Sequence, residues 1–129
     1  MTLACCATVT DDFRADKVDG ATFSHQDHVR VAYDLLRSHD FIAAASLYAK
    51  GIKSLTTRAG VPEKLNLTIT YAFLSVSAER MAAGGGDSFE GFAEDNPDLM
   101  SKDVLLGWYE ADRLHSDTAR QIFLLPRRH

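Results

Sequence analysis

An all-α fold, a compact single-domain bundle of three longer helices followed by short C-terminal ones, is predicted for this 129-residue chain by three observations. Apolar residues recur at spacings of three and four through most of 25–83. No segment alternates apolar and polar residues far enough to make a strand. The periodic segments open at Ser or Asp and close at Gly or Pro, the punctuation of helices. Helices with no sheet to lie on bury their apolar stripes against one another.

Residues 1–22 carry Asp11, Asp12, Asp16, Asp19 and Gly20 without a sustained period. They read as an irregular acidic leader with room for one short extended or helical piece, and the helical domain is expected over 23–129. The first helix spans about 25–38: Ser24 with Asp27 three residues on is a capping-box start, and Val29, Ala32, Leu35 and Leu36 form its inner stripe. Asp40 caps the second, whose stripe is Phe41, Ala44, Ala45, Tyr48, Ile52 and Leu55, stopped by Gly60 and Pro62. The third, about 63–83, is the most apolar and carries large residues on several faces, as a central helix does; the triglycine Gly84-Gly85-Gly86 ends it. Short helices follow at 87–94, opening at Asp87 or Ser88, at 101–109, opening at Ser101, and at 116–124, opening at Ser116 and closing before Pro126.

Composition narrows the function. The chain is 46% hydrophobic with a formal charge of -4, and its 14 Lys and Arg are scattered apart from Arg127-Arg128, so no basic stripe awaits a nucleic acid. No apolar run approaches the ~20 residues of a membrane span. Met1 to Ala7 lacks the basic start and apolar length of a secretory signal, and the only cysteines, Cys5 and Cys6, are neighbours that bridge poorly. A cytoplasmic protein with reduced thiols is expected, the sharper alternative for the pair being a vicinal dithiol that captures soft metals.

Candidate chemistry centres on His25 and His28, one helical turn apart on the face the apolar residues turn inward. Neutral imidazoles at that spacing suit a divalent transition metal, and Glu79, extending the line Ile69, Ala72, Val76, is the candidate third ligand. Asn66 and Thr70, also a turn apart, are candidate hydrogen-bonding residues, so a pocket between the first and third helices would hold a metal or a small polar ligand through these five side chains. Structural readings stand beside these: Asp27 as a cap, His28 bonded to a carbonyl under Phe23 as a hydrophobic staple, Glu79 paired with an arginine. No HExxH, ExxH or G-x-S-x-G motif and no glycine-rich phosphate loop occurs.

The segment Phe23-Ser24-His25-Gln26-Asp27-His28-Val29-Arg30, with Thr68-Ile69-Thr70, Asn96-Pro97-Asp98-Leu99, Ser116-Asp117-Thr118-Ala119-Arg120 and Phe123-Leu124-Leu125-Pro126, resembles a family of small uncharacterised bacterial proteins over about 23–128. The resemblance implies a helical fold and a site around His25 and His28, and names no reaction. Members of that family often carry a His-Glu pair just before the Thr-Ile-Thr segment, where this chain has Asn66 and Leu67. The alternative to a pocket is a non-enzymatic interaction module, possible as a homodimer, using Leu105, Leu106, Trp108, Tyr109, Phe123 and Leu124; a histidine pH sensor ranks behind both.

Overall fold

A computed structural model describes residues 8–84 and 88–126. Among these the fold is all-α: α1 (Val9–Arg14), α2 (His25–Ser38), α3 (Phe41–Arg58), α4 (Leu67–Ala82), α5 (Phe89–Asp95), α6 (Ala111–Leu114) and α7 (Asp117–Gln121), with 3-10 turns at Pro62–Lys64, Pro97–Met100 and Val104–Gly107. Cys5, Cys6 and part of the triglycine lie outside the described residues. No described helix is long and apolar enough to cross a membrane.

Capping sets most of the boundaries. Ser24 accepts a hydrogen bond from the Asp27 amide while Asp27 accepts one from the Ser24 amide, so the α2 capping box forms as its spacing predicts. Asp40 caps α3, Ser88 caps α5 and Ser116 caps α7, each through the amide three residues on, an arrangement worth about 1 kcal/mol per cap. After α3, Gly60 takes the left-handed φ of 78° that lets the chain turn back, with its amide bonded to the Thr57 carbonyl and that of Val61 to Thr56.

The short piece that the leader had room for is helical: residues 9–14 form a helix with its own capping box between Thr8 and Asp11, while other boundaries differ from expectation. Phe13 on that helix is only 1% exposed and sits in a notch on α3 where Gly51 has no side chain; a Cβ there would lie 2.2 Å from the Phe13 ring. Tertiary packing, not helical period, makes this element. The third long helix starts at Leu67 rather than near 63, because Asn66 is extended and caps it, leaving Pro62–Lys64 as a separate turn. The segment 101–109 forms no α-helix: Ser101 accepts from the Asp103 amide in a local turn, and only Val104–Gly107 coils, as 3-10.

Helix α2 packs against α1, α3 and α4, and α4 also meets α3 and α7. Val31, Ala32, Leu35, Ala44, Leu74, Phe92 and Leu99 fill the interior between them. The segment after α7 is fastened by one hydroxyl: Thr68, fully buried, donates to the Ile122 carbonyl at 2.7 Å and accepts from the Leu124 amide at 3.0 Å. Tyr109 donates to the Leu124 carbonyl at 2.7 Å.

Candidate functional site

The start of α2 and the start of α4 face one another across a cavity of about 140 Å³. His25, His28, Asn66 and Thr70, all singled out by the sequence, line it together. Also present are Tyr48 and Ile52 from α3, Ile69 and Phe73 from α4, Lys64, and Lys102, Val104 and Leu105 from the segment crossing the front.

The two histidines are held differently. His25, at the first position of α2, directs Nε2 at the Leu99 carbonyl 2.9 Å away; a carbonyl only accepts, so Nε2 carries the proton. The ring also rests edge-on against Phe73, with centroids 5.5 Å apart. Leu99 is presented by the Pro97–Met100 turn, which Arg80 anchors through a two-point pair with Asp98 at 2.7 and 2.9 Å. His28, one turn on, lies edge-on under Phe23 at 4.6 Å, the staple expected of the residue before a helix cap. Its carbonyl bond is not formed: neither ring nitrogen has a hydrogen-bond partner among the described residues. Burial pushes the His28 imidazole down from 6.5 to about 4, His25 pushes the same way, and Asp27 opposes both. His28 is therefore neutral at pH 7, with one nitrogen able to donate and the other to accept.

Tyr48 is 3% exposed and touches Phe13 on one side while lining the cavity on the other. Its hydroxyl has no partner among the described residues, and desolvation raises its pKa, so it stays a neutral phenol. The aromatic rings run in sequence from α1 to the cavity: Phe13 stacks on Phe23 at 5.7 Å, Phe23 meets His28, and His28 neighbours His25 at 6.4 Å.

Asn66 and Thr70 reach the cavity but have structural work of their own. The Asn66 side chain accepts from the Ile69 amide and donates to the Leu114 carbonyl at 2.8 Å, tying α4 to α6. Thr70 donates to the Asn66 carbonyl at 2.8 Å. This accounts for an amide at position 66, which must both accept and donate.

Glu79 does not join them. It borders a different groove with Val76, Trp108, Tyr109 and Phe123. At ~100° and ~1.5 Å per residue, the nine residues from Thr70 carry it to the opposite side of α4 and about 13 Å along. The line Ile69, Ala72, Val76 drifts round the helix, and extending it by one step leaves the cavity face. Among the described residues no three His, Cys, Asp or Glu side chains are gathered as a metal set, so the triad His25, His28 and Glu79 is not assembled.

Sequence reading missed Tyr48, Lys64 and Lys102. Tyr48 carried the signal of a polar tip on an apolar stripe, whereas nothing local marks the lysines, which lie in turns whose placement depends on the whole fold. No family model, curated protein or solved structure matches the chain, and the reading of the site rests on its own geometry.

Proposed function

We propose that the chain is a small-molecule-binding protein whose site is the cavity between α2, α3 and α4. One observation carries the reading: the neutral imidazole of His28 and the phenol of Tyr48 both line this cavity without hydrogen-bond partners among the described residues, amid Ile52, Ile69, Phe73 and Leu105. Polar groups left open to solvent in a largely apolar hollow are available to orient a hydroxyl- or carbonyl-bearing ligand whose apolar body fills the rest. A volume of about 140 Å³ suits one six-membered ring, since a cavity of roughly 150 Å³ holds benzene. With no third ligand gathered beside the histidines among the described residues, direct capture of an organic molecule fits the lining better than a metal centre.

Phenol is the test probe. Titration followed by amide chemical shifts should saturate with a Kd on the order of 1 mM, the weight of seven heavy atoms at roughly 0.6 kcal/mol each, and move His28, Tyr48, Thr70 and Val104. No shift at these residues with phenol well above that concentration rejects the reading.

A second reading, self-association through the C-terminal segment, is favoured by the exposure of Leu106, Trp108, Ile122, Phe123 and Leu125. Leu105 and Tyr109, first grouped with them, are buried and unavailable. Light scattering that finds only monomer at high concentration removes it.

A further inference from the structure

We infer that the ligand of this cavity is a small carboxylate, its ring or apolar body inside and its anionic end at the mouth. The inference deepens the small-molecule reading and rests on it. The protein carries a formal charge of -4, yet among the described residues no Asp or Glu lines the cavity. The permanently charged lining residues among them are Lys64 and Lys102, both exposed and on different connecting segments, one before α4 and the other ahead of the Val104–Gly107 turn. Neither has an ion-pair partner among the described residues, although Glu63 and Asp103 adjoin them in sequence. Those two carboxylates are exposed and do not line the cavity.

The lining thus has a polarity along its depth. Tyr48, almost wholly buried, and the half-buried His28 supply neutral polar groups to the lining, and the two lysines are exposed. A negative charge placed deep would go unmatched, and a positive one at the mouth would be repelled. A ring with a carboxylate at one end and a hydroxyl at the other meets the lining groups that have no protein partner among the described residues: the carboxylate near the lysines, the ring among Ile69, Phe73 and Leu105, the hydroxyl toward Tyr48 or His28.

The experiment compares three molecules of one shape, 4-hydroxybenzoate, 4-hydroxybenzamide and 4-hydroxybenzylamine, against the intact chain by calorimetry at low and high salt. The anion should bind about tenfold tighter than the amide at low salt, the amine more weakly than either, and the advantage should shrink in 0.5 M salt, as roughly expected of charges paired at a surface. The double variant Lys64→Gln, Lys102→Gln should bring the anion and amide affinities together. The control Lys50→Gln, Lys53→Gln removes the same charge from exposed positions on α3 outside the cavity and should leave the preference intact. Equal binding of acid and amide by the wild type, or equal loss in both double variants, overturns the carboxylate inference while the cavity reading stands. Binding of none of the three overturns both.

Discussion

Acidification should destabilise this protein through one imidazole. In the folded chain His28 titrates near 4, against 6.5 when exposed, because it lies buried beneath Phe23. The folded state therefore holds fewer protons than the unfolded one between these values, and stability falls as pH drops through 6.5 and levels off below about 4, where both states are charged. Integrating over that window, the loss attributable to His28 is about 1 kcal/mol between pH 7 and 5.5 and about 2 kcal/mol by pH 4.5. Asp98, lowered from 3.8 chiefly by its hydrogen bond from Arg80, loses its contribution at still lower pH, beneath the His28 window. The variant His28→Gln retains the carboxylates and lacks the imidazole, so the difference between two urea-denaturation series isolates the histidine. Wild type and variant should diverge by the stated amounts as pH falls, and the His28 ring should remain neutral by NMR at pH 5.5. Parallel pH profiles would falsify the claim that the fold desolvates this ring.

Other consequences follow from packing and caps. Gly51→Ala places a methyl on the Phe13 ring and should cost about 1–3 kcal/mol in urea denaturation, with relief in the double variant Gly51→Ala, Phe13→Leu. Thr68→Val removes the hydroxyl that holds both the Ile122 carbonyl and the Leu124 amide, and should cost about 1–3 kcal/mol and speed hydrogen exchange at Leu124; unchanged exchange there refutes the clasp. Asn66→Ala loses the α4 cap and the bond to Leu114, and should destabilise by about 2–3 kcal/mol, with Asn66→Ser recovering the cap share but not the rest.

The long helices were legible because their signals are local. Ser24 and Asp27 specify the start of α2, Asp40 that of α3, and the i, i+3, i+4 stripes name the buried residues such as Val29, Leu35, Tyr48 and Ile52. His25 and His28 were placed on the inner face for the same reason. What was not legible depends on partners distant in sequence. Helix α1 is too short to show a period and exists because Phe13 finds Gly51 and Thr10 finds Asp34, whose carboxylate it meets at 2.7 Å. Glu79 was misplaced because α4 is apolar on several faces, so a stripe can be drawn toward the wrong one. Asn66 sits between Leu65 and Leu67, where its cap of α4 is masked by the apolar neighbours, and its second bond, to the Leu114 carbonyl, lies 48 residues away.

The row of rings from Phe13 through Phe23 to His28, with Tyr48 shared between Phe13 and the cavity, joins the first helix to the cavity wall by continuous packing. Whatever holds Tyr48 and His28 in place also holds the surface on which α1 rests. By reciprocity, if docked α1 raises the affinity of the proposed site for a ligand, that ligand makes transient detachment of residues 9–14 rarer by the same factor. Hydrogen exchange at the α1 amides, far along the chain from Lys102, would then report on the proposed site.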